Sequence, residues 1–154
     1  AMPQKNEIEV VDHPKHYNEH LSSVECIQFK RHLPSSLSDA FKYVWRYSLK
    51  GGTEDLHKAI WYIKDDRDNR IHRPPNAIQP ELILQLLKYE PNILIVSIFE
   101  TLFNLSWTCD SYSYSYDALI DRVNLLISSV DDPSQITFIK EVNLLNPNVD
   151  HFDV

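Results

Sequence analysis

The chain uses glycine at only two of its 154 positions, and the two are adjacent: Gly51 and Gly52. Glycine is the residue that enters positive φ cheaply, so a chain almost without it has little means of making tight hairpins, bulges or phosphate-cradling loops. Adjacent glycines also cannot satisfy a Walker-A or a dinucleotide fingerprint, both of which need glycines several residues apart. What remains is a chain of helices punctuated by proline and polar caps, and there are nine prolines to do it. The twin glycines sit in "DAFKYVWRYSLKGGTEDLHKAIWYI", residues 39–63. The pattern predicts a helix from Asp39 to Leu49 or Lys50, capped by Ser38, with Gly51 in the left-handed C-terminal position and Gly52 letting the chain reverse. Thr53 then caps a second helix with Glu54 and Asp55 in its first turn, where the helix dipole favours negative charge. The stretch reads as a helical hairpin.

Helical patterns continue on either side. "SSVECIQFKRHL" reads as a short helix ended by Pro34, with Val24, Ile27 and Leu33 on one side and Ser22 or Ser23 as cap. "DDRDNRIHRPPN" is a charged helix end followed by a Pro-Pro break, the best boundary in the chain. Beyond it Pro80 opens "PELILQLLKYE" and Pro91 opens "PNILIVSIFETLFNLSW". "CDSYSYSYD", residues 109–117, reads as a loop, with Asp117 capping "ALIDRVNLLISSV". Asp132-Pro133 starts a last helix running to about Leu145. The expected fold is all-α: a helical hairpin domain over residues 12–73, then a small helical bundle over 74–154 that covers it or makes an oligomer.

Charge is uneven. Through Arg73 there are 12 basic against 11 acidic residues and six of the seven histidines; from Pro74 on, 3 basic against 11 acidic. Anionic ligands would meet the first half, yet no long basic tract suits duplex nucleic acid. No apolar run reaches the eighteen or so residues that span a bilayer. The two cysteines, Cys26 and Cys109, lack metal-ligand or framework spacing, so a reduced intracellular protein is expected, with Cys26 a small buried hydrophobe.

Two groups of residues could carry chemistry. Lys42, Arg46 and Lys50 are four apart and form a basic stripe on the first hairpin helix; Asp55, Lys58 and Tyr62 share a face of the second. Tyr43, Trp45, Tyr47, Trp61 and Tyr62 lie nearby and could stack a base. "DHPKHY" gathers His13, Lys15, His16 and Tyr17 in a proline-bent loop suited to ligating metal, moving a proton or bonding a phosphate. A solvated stripe and an idle surface loop are the alternatives.

"DHPKHYN", "VECIQ" and the hairpin, in that order, resemble a SaV-like phage domain of unknown function, over about residues 12–64. The matching positions are His13, His16, Tyr17, Glu25, Cys26, Lys42, Tyr43, Arg46, Lys50, Gly51, Gly52, Glu54, Asp55, Lys58 and Tyr62. That family includes the early-gene nucleotide kinase of a T-odd coliphage, an oligomer without a phosphate loop that acts on thymidine and guanosine deoxynucleotides. The resemblance implies a phage origin, a host-cytoplasmic location, a homo-oligomer, and phosphoryl transfer from a nucleoside triphosphate to a deoxynucleoside monophosphate. In that reading Arg46 clamps a phosphate and Lys42, Lys50 and Lys58 add positive charge, while His13 or His16 orients or protonates its oxygens. Lys15, Tyr17, Tyr43, Trp45, Trp61 and Tyr62 complete a nucleotide site, and Glu54 and Asp55 either hold Mg2+ or cap a helix. The alternatives are a non-catalytic protein that sequesters a nucleotide of host defence or regulates a host enzyme, a nucleotide pyrophosphohydrolase with a thin carboxylate set, and a pure interaction protein acting through the acidic half.

Overall fold

The computed structural model describes residues 20–70, 76–107 and 113–132. Among the described residues there are six helices and no strand, so the fold is all-α. They are α1 (Ile27–Lys30), α2 (Ser35–Arg46), α3 (Gly52–Asn69), α4 (Pro80–Tyr89), α5 (Ile93–Trp107) and α6 (Ser113–Asp131). None is long and apolar enough to cross a membrane.

α2 forms because Leu37, Ala40, Phe41, Val44 and Trp45 recur on one helical face, and all five are buried. It starts directly after Pro34, earlier than the sequence suggests. Ser38 is therefore inside the helix rather than its cap, and its hydroxyl donates to the Lys30 carbonyl at 3.1 Å. The helix ends at Arg46, which places Lys50 in the connecting turn instead of the last helical turn. α3 buries Leu56, Ala59, Ile60 and Ile63, the predicted apolar face, and packs along α2 as an antiparallel hairpin.

The glycine turn differs from expectation in an instructive way. Gly52, not Gly51, has the positive φ, at 58°. Gly51 sits at φ −100°, which any residue can adopt, and forms the N-cap of α3 in place of Thr53. Its lack of a side chain is needed for space: a Cβ there would lie 2.2 Å from Cγ of Asp55. The Gly52 amide donates to the Tyr47 carbonyl at 2.7 Å and closes the turn over the end of α2.

Pro80 opens α4 as predicted. α5 starts at Ile93 rather than at Pro91, because the Asn92 side-chain oxygen accepts the Leu94 amide at 2.9 Å and so caps it. α6 begins at Ser113, so the end of the Ser-Tyr repeat is helix and not loop, and Asp117 is an interior position rather than a cap. The physical reason is that Tyr116 continues the buried stripe of Leu119, Ile120, Val123 and Leu126. The helix predicted after Pro133 lies outside the described residues.

One hydrophobic core runs through both sides of the Pro-Pro break. Phe29 of α1 and Phe41 of α2 meet α5 directly: Phe29 stacks on Phe103 at 5.7 Å between centroids, and Phe41 meets Phe99 at 4.9 Å. A buried polar tie joins α3 to α6. The Tyr116 hydroxyl donates to Asp66 at 2.6 Å, and Arg70 donates both to that hydroxyl and to the Leu105 carbonyl at 2.8 Å.

Candidate functional site

The hairpin turn brings Arg46, in the last turn of α2, against Asp55, in the first turn of α3. Arg46 donates from Nε to Oδ2 at 3.0 Å and from Nη2 to Oδ1 at 3.2 Å, a two-pronged ion pair. The Asp55 side chain is 2 % exposed. Asp55 reaches this position only because Gly51 leaves its space empty. The twin glycines thus serve a buried charge pair: one supplies the φ angle and the other the room.

Beside this pair three cations surround one ring. Lys42 Nζ, Arg46 Cζ and Lys58 Nζ lie 4.3, 4.8 and 5.6 Å from the centroid of Tyr43. Such contacts contribute about 0.5–2 kcal/mol each, depending on exposure. Tyr43 stacks on Tyr62 at 5.8 Å and 17°. Trp61 meets Tyr62 edge-on at 5.0 Å and is itself 61 % exposed. Lys42 pairs with Asp39 at 3.5 Å, and Lys58 with Glu54 at 3.6 Å, along their own helices. Pairs of that kind stabilise by only about 0.2–0.5 kcal/mol, so an anionic ligand could displace them. The Asp55 pair is different in kind, because a buried pair cannot be broken without stranding a charge.

Lys42, Tyr43, Arg46, Asp55, Lys58, Trp61 and Tyr62 are therefore brought together on one face. Two contacts bear on the roles expected of these residues. The Arg46 fork already holds Asp55, so the edge expected to clamp phosphate in two-pronged fashion is occupied. Glu54 and Asp55 do not converge on a metal: Asp55 turns inward to Arg46 while the Glu54 side chain is 80 % exposed. Among the described residues no group of three or more His, Cys, Asp or Glu could hold a metal ion. Trp45 points away from the face and is buried against Phe29, Phe41 and Phe99. Lys50 is exposed in the turn. His13, Lys15, His16 and Tyr17 lie outside the described residues.

Cys26 is 1 % exposed, and burial pushes its thiol up to about 12 against the lowering effect of Lys30, Lys42 and Arg46. It packs as an inert hydrophobe, as its sequence context suggests. Two polar groups went unsignalled. His20 donates to Glu90 across 70 residues of sequence at 2.8 Å, and Tyr116 joins Asp66 across 50. No local pattern announces either contact.

The hairpin and the segment before it match the model of a protein family described as of unknown function, DUF3310, over residues 11–64. No curated protein and no solved structure matches the chain. The matched stretch contains α1, α2, the glycine turn and all of the cation and tyrosine face, while α4, α5 and α6 lie beyond it.

Proposed function

We propose that the DUF3310 face binds a nucleotide, and that the chain is a phage deoxynucleoside monophosphate kinase working without a phosphate loop. The observation that carries the binding is the gathering of Lys42, Arg46 and Lys58 within 5.6 Å of one stacked tyrosine ring. Lys42 and Lys58 exchange their weak helical partners for phosphate oxygens. Arg46, held by Asp55, stays behind the ring as a fixed positive charge. Trp61, with the Tyr43–Tyr62 stack, offers a flat surface for the base. Phosphoryl transfer needs positioning and charge stabilisation more than covalent help from the protein. The donor is a nucleoside triphosphate, and His13 or His16 handles the proton of the acceptor phosphate. The kinase assignment and the homo-oligomer both rest on the resemblance of the motifs.

A second reading, binding without turnover, is favoured by the engagement of the Arg46 fork with Asp55. A protein of that kind would sequester a nucleotide or regulate a host enzyme. Incubation with dTMP or dGMP and labelled triphosphate separates the two: diphosphate product supports the kinase, and tight binding without product supports sequestration. Lys42→Ala and Lys58→Ala should each weaken nucleotide binding about 10-fold or more in calorimetry, the loss of one charge-assisted contact. Unchanged affinity in both folded variants would remove the site from this face.

A further inference from the structure

α4 turns Leu86 and Leu87 into the core and leaves Glu81, Leu84, Gln85 and Lys88 exposed. Glu81 and Lys88 are seven residues apart, so they lie within about 20° of one another on the helix surface and about 10 Å apart along it. Leu84 falls to one side of the line between them, and Gln85 to the other. Tyr89, four residues after Gln85, is exposed on the same side as Gln85. Two bonds bring the segment before α1 to that side as well. The Gln85 side chain donates to the Ser22 carbonyl at 2.6 Å, and His20 Nε2 meets Glu90 Oε2 at 2.8 Å. Leu21 lies between those two bonded residues and is 71 % exposed, the most exposed large apolar side chain among the described residues.

A single exposed apolar side chain is ordinary, but a group of them beside a line of charge marks a contact surface. Here the charges select the partner. Glu81 stands in the first turn of α4 and Lys88 in the last. A two-fold axis passing between Leu84 and Gln85 generates a second α4 that runs antiparallel to the first. That operation sets Lys88 of each copy against Glu81 of the other. A parallel copy would set like charges against each other. The same axis places Leu84 of each copy over the Gln85 side of the other, beside Tyr89 and Leu21. The face is therefore complementary to itself in charge and in apolar surface, as a two-fold contact requires. The Lys88 ammonium lies 5.5 Å over the Tyr89 ring, and with three donors it engages more than one oxygen at a time.

We infer that the outward face of α4 binds a second copy of this chain, α4 against α4, antiparallel about a two-fold axis. Leu84 seated between Tyr89 and Leu21 of the other copy supplies the affinity, because removing apolar surface from water is the main driving force of association. The two Glu81–Lys88 pairs add little strength at an exposed rim, but they fix direction and register. The contact uses no residue of the cation and tyrosine face, so it stands independently of the nucleotide reading. It adds to the homo-oligomer implied by the motifs a surface, a symmetry and the residues that set them.

Sedimentation of the full chain over a range of concentrations tests this. The parent should self-associate into dimers, or into assemblies built of dimers, with a dissociation constant on the order of 10 µM. Leu84→Asp should weaken that association about 100-fold. Glu81→Lys and Lys88→Glu change exposed positions and keep the test open should the Leu84 variant fail to fold. Each alone puts four like charges in the contact and should weaken it about 10-fold or more. Mixing these two variants restores both pairs, so the mixture should associate like the parent although neither component does. The double exchange Glu81→Lys with Lys88→Glu should also associate like the parent. A parent that stays monomeric at about 200 µM, charge variants that associate as the parent does, or a mixture and double exchange that fail to recover would each overturn the inference. Such a failure would leave the nucleotide reading intact, because that is measured with phosphates at Lys42 and Lys58.

Discussion

Gly51 and Gly52 show what a residue type can and cannot reveal. Their presence in a turn was legible from composition alone, since nothing else in the chain uses glycine. Which of them needs the positive φ was not, because sequence does not distinguish a glycine required for its backbone angle from one required for its emptiness. The two requirements predict different mutational behaviour. Gly52→Ala has open space around its Cβ and bears only the left-handed backbone cost, about 1–2 kcal/mol in a denaturation experiment. Gly51→Ala pushes a methyl into the Asp55 carboxylate and disturbs a buried ion pair, so its cost should be larger, about 2–4 kcal/mol. In an Asp55→Ala background the penalty of Gly51→Ala should nearly vanish while that of Gly52→Ala persists, a coupling that a double-mutant cycle measures directly. Cys26 supplies a second test at this scale. In a Cys109→Ser background the remaining thiol, buried and held protonated up to about 12, should resist iodoacetamide at pH 8 and react only when denaturant opens the core.

At the level of helices, the legible features were those set by local chemistry. Pro80 opens a helix because its missing amide donor is not needed there, and the apolar face of α3 follows from the spacing of Leu56, Ala59, Ile60 and Ile63. Half of the candidate face was legible in the same way, since Lys42 and Arg46 share a stripe. Trp45 was misplaced because an aromatic residue reads alike on either side of a helix until the core is known. The start of α6 was missed because alternating Ser and Tyr imitates a loop, although Tyr116 falls on the period of Leu119 and Val123. That tyrosine has a measurable consequence. Burial first, then its hydrogen bond to Asp66, pushes its hydroxyl from the ordinary 10 to about 12. In the unfolded chain it loses its proton first, so its contribution is complete below pH 10 and is lost as pH rises through about 12. Tyr116→Phe should lower stability by about 1–3 kcal/mol at pH 7 through the loss of the Asp66 bond. It should also flatten the alkaline decline of the melting temperature above pH 10 relative to the parent, leaving the part due to Tyr47 and Cys26, which shift in the same direction.

The whole molecule is where sequence reading had least to work with, because the partners of the hairpin are far away along the chain. The Pro-Pro break invites a division at residue 73, and the DUF3310 match ends nearby, at residue 64. Yet the rings of Phe29 and Phe41 are completed by Phe99 and Phe103, and Asp66 by Tyr116, all from beyond the break. A fragment ending at residue 73 would expose the sides of Phe29 and Phe41 that Phe99 and Phe103 cover in the complete chain. Chains of that size bury barely enough surface to fold when their cores are intact, and this one would lack the α5 layer. The expected outcome is that residues 1–73 alone give no cooperative thermal transition and poorly dispersed NMR spectra, whereas co-expression with residues 74–154 restores both. Phe99→Ala in the full chain should act in the same sense, costing about 3–5 kcal/mol and loosening the hairpin as well as α5, as amide exchange on α2 would register. A well-dispersed, cooperatively melting 1–73 fragment would show instead that the DUF3310 hairpin carries its own core and that α5 only covers it.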